Sequence, residues 1–294
     1  MARYIEEKFT LFAALAAVSF AGVVTLTPAE AAVPGVTKVL VVMEENHSLT
    51  QMQSGMPYAF GLAQTYGYAT KWTAIRHPSL PNYIAIGSGQ TYGITDDKPP
   101  ASHVLRGRSI FGQAVSAGKT AKSYNEGMTS NCKTTSTGQY RVKHNPWAYF
   151  LDERTACLVG DVPTGSLTSG PLLTDITNGT LPNVGMITPD LTHDAHDGTL
   201  AAADTWFKGW MQKIFAGPDW RSGNLVVILT ADESDGGSAN AVLTVVIHQS
   251  QSHHVVTTAL TNYSLTRFCE DVVGGAYLGG AATAPSMTTA FGLR

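Results

Sequence analysis

The sequence predicts an α/β protein of three layers, a mostly parallel central sheet between two layers of helices. Three observations carry this. Apolar runs at 38–42, 183–188, 224–231 and 241–247 are nearly continuous and rich in β-branched residues, as in strands covered on both faces. Stretches of helical periodicity lie between them, and alternating strands and helices are the mark of a layered α/β fold. Most of these apolar runs also end in clusters of carboxylates and imidazoles, and in such folds ligands bind at the carboxyl ends of the strands.

The chain has 294 residues, 44% hydrophobic and 14% charged, with 29 glycines, enough for a sizeable core. A net charge of −3 supplies no basic field for nucleic acid or an anionic membrane. No repeat, low-complexity tract or block of like charge is present.

Residues 1–31 form a separate segment. Arg3 and Lys8 precede the apolar stretch "TLFAALAAVSFAGVVTL", and "TPAEAA" offers an Ala-x-Ala cut after Ala31. This is the pattern of a secretory signal peptide. Its apolar run, about 18 residues, is also long enough for an uncleaved anchor. The expectation is a cleaved leader at 1–31, a single catalytic domain over 32–294, secretion to the cell envelope or beyond, and no stable membrane insertion once the leader is gone.

The first strand, Lys38–Val42, runs into "MEENHS", where Glu45, Asn46 and His47 stand together. Next, "RHPSLPNYIAIGSG" (76–89) places Ser79 and Pro81 before a short apolar helix closed by glycines. Serine is a preferred helix cap and proline suits a first turn, so Ser79 has an ordinary capping role open to it. The same place faces free backbone N–H groups and the positive end of the helix, which suits a phosphoryl group on the serine oxygen. Arg76, His77 and Asn82 flank it as donors. The segment is not a G-x-S-x-G elbow, and the chain has no Walker loop or G-x-G-x-x-G fingerprint.

Helical patterns follow at 109–118, ending in Gly118, at 201–217, with Trp206, Trp210 and Ile214 on one face as core packing, and at 264–275. Between these lie "NVGMITPDLTHDAHDG" (183–198), ending in Asp190, His193, Asp194, His196 and Asp197, and "NLVVILTADESDGG" (224–237), ending in Asp232, Glu233 and Asp235. Parallel strands bring such ends together. Acids so gathered repel one another unless protonated or bridged by a cation, and hard oxygen ligands favour a divalent metal. Glu45, Asp232 and Glu233 are the residues this argument singles out. Of three cysteines, Cys132 and Cys157 lie in polar, loop-like sequence and are expected to pair, since export permits disulfides. Cys269 falls on the inner face of the last helical pattern as a buried thiol.

Taken together, "EENHS", "HPSLPNY", "KHNPWAYF", "PDLTHDAHDG" and "TADESDGG" resemble, in order and spacing, the secreted phosphoesterase family of bacterial acid phosphatases and phosphatidylcholine-type phospholipases C, within the alkaline-phosphatase-like superfamily. The resemblance covers about residues 36–290. It implies an alkaline-phosphatase-like fold and a divalent metal held by Glu45, Asn46, Asp232 and Glu233. It further implies Ser79 as nucleophile, Asn82 as a phosphate donor, and catalytic places for His144, Asp194 and His196. His47 stands where relatives often carry arginine, as a possible phosphate contact. Where many relatives have a histidine before the last helix, this chain has Asn262, leaving His253 or His254 to reach the site. The chemistry implied is metal-assisted attack of Ser79 on a phosphate ester, a phosphoseryl intermediate and its hydrolysis. The leading expectation is an acid-phosphatase-type phosphomonoesterase acting on a small phosphate ester. The alternatives are a phospholipase C acting on a phospholipid, disfavoured because the chain ends soon after the last motif, and a non-catalytic binding protein of this fold.

Overall fold

A computed structural model describes residues 35–237 and 239–293; the expected leader lies outside them. In chain order the strands are β1 (Lys38–Glu44), β2 (Gly67–Ala69), β3 (Trp72–Thr73), β4 (Ala121–Asn125), β5 (Asp161–Pro163), β6 (Val184–Thr188), β7 (Leu225–Ala231), β8 (Thr244–Ile247), β9 (His254–Val256) and β10 (Leu260–Thr261). Eight of them form one sheet in the order β5-β4-β6-β1-β7-β8-β2-β9. Only β8 runs against the rest, pairing antiparallel with both β7 and β2. The sheet is thus mostly parallel, as the continuous apolar runs predict. β7 is buried along its whole length and β1 at every position after Lys38, which the absence of alternation requires.

The helices are α1 (Leu49–Gly55), α2 (Pro57–Thr65), α3 (Ser79–Ser88), α4 (Ile110–Ser116), α5 (Arg154–Gly160), α6 (Pro171–Asn178), α7 (Leu200–Ala216), α8 (Pro218–Arg221), α9 (Asn262–Val273) and α10 (Met287–Phe291). No helix among the described residues is long and apolar enough to cross a membrane. α3 is buried at all ten positions and stops at Gly89, whose φ of 73° is the left-handed conformation glycine adopts without strain. On α7, Trp210 and Ile214 enter the core, whereas Trp206 sits at its margin and donates from Nε1 to Glu126 Oε1 at 3.0 Å.

Three local expectations are corrected. α9 begins at Asn262, two residues before the predicted start, because Thr261 and Ser264 form a reciprocal capping pair. Cys157 lies in α5, not a loop; its pairing with Cys132 is present nonetheless, and Cys269 is free and buried. Ser79 is not a cap. Pro78 holds the N-cap position, and Ser79 is the first helical residue with its hydroxyl turned elsewhere.

Candidate active site at the carboxyl ends of β1, β6 and β7

β1 lies between β6 and β7, so the loops leaving these three strands are neighbours. The backbone ladder continues past the strand ends: Asp232 N–H donates to Glu44 O (3.1 Å) and Glu45 N–H to Asp194 O (2.8 Å). The acids are therefore fixed by main chain as well as by side chain. Asn46 adopts φ 51°, a conformation asparagine tolerates, and its N–H donates to Asp232 Oδ1 at 3.2 Å. Ala195 turns the chain with φ 69° between Asp194, which is fully buried, and His196, whose ring faces outward with Nδ1 2.7 Å from Asp197 Oδ1. A non-glycine residue in that conformation is strained, and here it separates the directions of two functional side chains.

The hydroxyl of Ser79 points into this cluster. It donates to Glu45 Oε2 at 3.0 Å, with Glu233 Oε1 a second acceptor at 3.3 Å. Lys143 Nζ lies 3.4 Å from the same hydroxyl oxygen. Glu233 Oε2 takes His77 Nδ1 at 2.6 Å, and the His77 side chain is 45% exposed, so a chain of polar groups runs from Ser79 to the surface.

His144 is buried with Nε2 3.2 Å from Glu45 Oε1 and Nδ1 3.3 Å from Asp194 Oδ2, its ring stacked on Tyr83 at 5.1 Å. Burial first, then the nearby Lys143 and His196, push its pKa well down, so the ring is neutral and these contacts are not ion pairs. The acids are displaced the other way. Burial, with repulsion from neighbouring carboxylates, raises Glu45 and Asp232 well above the carboxylate range. Asp194 is pushed up to about 8 and Glu233 to about 7, burial again the main cause. Lys143 moves upward despite its burial, because Glu45 and Asp97 favour its charged form.

This donor set fits a divalent cation. Glu45 Oε1, His144 Nε2, Asp194 Oδ2 and Asp232 Oδ2 are buried without a hydrogen-bond partner, a costly state that a bound cation removes. One atom each from Glu45, His144 and Asp194 lies within 4.8 Å of the others. A neutral imidazole among carboxylates is a ligand in the form that metals take.

Of the residues expected from sequence, Glu45, Ser79, His144, Asp194, Asp232 and Glu233 are brought together. Asn46 joins through its backbone. Asn82 is present but occupied: its Oδ1 accepts from the N–H groups of Ile75 (2.9 Å) and Arg76 (3.1 Å), and its Nδ2 donates to Arg76 O (2.7 Å) and Pro78 O (3.2 Å). It braces the loop before Ser79. Asn262 is buried beside it, accepting from Trp72 Nε1 at 3.0 Å and lying 3.4 Å from Asn82 Oδ1 and 3.3 Å from Asp232 O. His253 and His254 do not substitute for it. They lie at the start of β9, the opposite end of the sheet, bonded to Thr65 and Gln251. Asp190 and His193 turn to Glu126 in a separate half-buried cluster, and His47 bonds the Glu45 carbonyl. Lys143 and Asp97 have no assigned part in the sequence reading, although Lys143 lies within the "KHNP" stretch.

The sequence pattern of one family matches residues 50–251. The chain belongs to the Phosphoesterase family. This phosphoesterase is 28% identical over 268 residues to a protein of Mycobacterium tuberculosis named phosphatidylinositol-3-phosphatase, covering 90% of this chain and 86% of that one. It is 28% identical over 194 residues to a probable acid phosphatase of Kluyveromyces lactis, covering 60% of this chain but 43% of that one. Among solved structures it resembles a member of the alkaline phosphatase superfamily from Vibrio parahaemolyticus (TM-score 0.58, 10% identity, covering 86% of this chain and 71% of that one). It also resembles a phosphonate monoester hydrolase from Silicibacter pomeroyi (TM-score 0.55, 10% identity, covering 88% and 77%). At those identities the likeness concerns the fold alone. As a phosphoesterase the chain is a hydrolase of phosphate esters.

Proposed function

We propose that the phosphoesterase is an exported, metal-dependent phosphomonoesterase that works through a phosphoserine at Ser79, with a leader at 1–31 and one catalytic domain over 32–294. The observation that supports this most is the placement of the Ser79 hydroxyl, 3.0 Å from Glu45 Oε2 and 3.3 Å from Glu233 Oε1, at the first turn of a buried helix. A cap would turn to its own backbone; this side chain turns to the carboxylates.

Glu45, His144, Asp194 and Asp232 would hold the cation, joined by Asn46 and Glu233 at the rim of the set. When bound, a divalent cation supplies Lewis-acid polarisation of a phosphoryl oxygen and favours the deprotonated serine. The residues do the rest. As Ser79 Oγ forms its bond to phosphorus, its proton passes to Glu233 and through His77 toward solvent, and the P–O bond to the alcohol breaks with the alcohol taking up a proton. Water then attacks phosphorus, the P–Oγ bond breaks, and Ser79 recovers its proton. Asn82 and Asn262 keep the 75–78 loop and Ser79 in place, and His196 faces the entrance as a phosphate contact. The mycobacterial relative's name specifies a phosphomonoester on an inositol lipid, so a phosphoinositide monoester belongs in the substrate panel beside soluble esters.

The test is Ser79→Ala. Turnover of an aryl phosphate should fall by several orders of magnitude with metal content retained. Acid quenching of the wild type with substrate should leave phosphate on the peptide carrying "HPSLPNY". A variant near wild-type rate would transfer the chemistry to a water molecule.

A further inference from the structure

Ser79 has two unlike kinds of neighbour. Its hydroxyl oxygen meets the carboxylates of Glu45 and Glu233 and also a cation, Lys143, whose Nζ is 3.4 Å away. That ammonium is held in place. Its second partner is Asp97 Oδ2 at 3.1 Å, and Asp97 Oδ1 accepts the N–H of Leu80, the residue after Ser79, at 2.9 Å. The lysine and the first turn of α3 are thus tied to one carboxylate. The Lys143 side chain is 16% exposed, and with Asp97, Ser136 and Arg141 it lines a pocket of ≈ 330 Å³. Lys143 thus belongs both to the lining of this pocket and to the surroundings of Ser79 Oγ.

We propose that Lys143 is a catalytic residue whose ammonium contacts the outward non-bridging oxygen of the transferring phosphoryl group, making a phosphomonoester the substrate in preference to a diester. This rests on the phosphoserine reading. A phosphoryl group on Ser79 Oγ has three non-bridging oxygens. The carboxylate side, once neutralised by a cation, receives those that face inward, and an oxygen facing outward meets Lys143. In a monoester that oxygen is free and charged. In a diester one oxygen carries a second alcohol, which removes its charge and puts bulk against the lysine. Placing a fixed cation where charge gathers in the transition state is the effect that removal of one donor shows at 10²–10³ in rate.

The experiment uses the metal-loaded protein carrying Lys143→Met, which keeps the aliphatic stem, with Lys143→Gln as the second variant. Three quantities are read: kcat/KM on an aryl phosphate monoester, kcat/KM on the corresponding diester, and the inhibition constant of inorganic phosphate. The expected result is a monoester loss of about 100-fold or more, a phosphate inhibition constant raised about tenfold or more, and a diester rate that stays undetectable or changes less than about threefold, with metal stoichiometry unchanged. Equal losses on both esters, an unchanged phosphate constant, or loss of metal in both variants would overturn the proposal and leave Lys143 a support for α3. The phosphate constant does not depend on covalent catalysis. An active Ser79→Ala enzyme therefore condemns the phosphoserine, while an unmoved phosphate constant condemns Lys143 alone.

Discussion

Removing the cation proposed for this cluster tests the electrostatics of the site directly. Asp194, pushed from 3.8 up to about 8, Glu233, pushed to about 7, and Glu45 and Asp232, both raised by burial, bind protons more tightly in the folded chain than in the unfolded one. The folded state then holds more protons, and stability falls as pH rises from the unfolded carboxylate range near 4 through about 8. For Asp194 alone the displacement corresponds to about 6 kcal/mol at 1.36 kcal/mol per unit, an upper limit because water entering the metal-free cluster offsets part of the burial penalty. Half of that, at about 2–4 °C per kcal/mol in a chain of this size, is roughly 6–12 °C of melting temperature. The assay is scanning calorimetry of chelator-dialysed and cation-reloaded protein at pH 4.5, 6 and 8. The metal-free protein should melt progressively lower as pH rises, the loaded protein less steeply because the raised Glu44, Asp161 and Glu270 lie outside the ligand set, and the gap should widen toward pH 8. A metal-free melting temperature that is flat or rises between pH 5 and 8 would refute both the clustering and the ligand set.

Two further outcomes follow from particular contacts. Replacing Cys132 and Cys157 by serine opens a loop of 25 residues and should lower stability by about 3 kcal/mol in denaturant titration, while the metal cluster, held by the main chain of β1, β6 and β7, should still bind its cation stoichiometrically. Asn262→Leu leaves the buried Trp72 Nε1–H without an acceptor and frees one side of Asn82, so stability should drop by about 1–3 kcal/mol and turnover should fall with it; a variant as stable and active as the wild type would show that Asn262 braces nothing.

The parts of the site legible in the sequence are those set by topology. Glu45, Asp232 and Glu233 follow apolar strands, and parallel strands leave their carboxyl ends at one edge, so a pattern along the chain converts into proximity without knowledge of any side-chain contact, whereas Asp194 is one of five such residues after its strand and is singled out only by the resemblance. Ser79 was legible as a helix start, but two outcomes fit that pattern, and only the direction of its hydroxyl separates them. The role of Asn82 reads differently in the structure for a related reason. An amide three residues after the serine, with Arg76 and His77 before it, looks like a phosphate donor in sequence, whereas the preceding loop consumes its bonding capacity. Lys143 and Asp97 were not legible because they meet across 46 residues, one inside the short 3₁₀ turn Val142–His144 and the other in a loop, where no periodicity marks which way a side chain points. What stands at Asn262 is likewise visible only in three dimensions: the position is filled by an amide serving Trp72 and Asn82, while the imidazole beside Glu233 is that of His77.

The central place of β1 between β6 and β7 also has a consequence in time. Ser79 reaches Glu45 across 34 residues and Glu233 across 154, so the site is assembled from chain that leaves the ribosome far apart. β1 can find one neighbour when β6 has been made, but its other edge stays open until β7 is complete and docks beside it. Parallel pairing of this range is slow, because the entropy of closing long loops is spent before the contacts repay it. The hydroxyl therefore has no carboxylate pair to face in a nascent or half-folded chain. Hydrolytic capacity arrives with the last central strand, as an all-or-none property of the finished sheet.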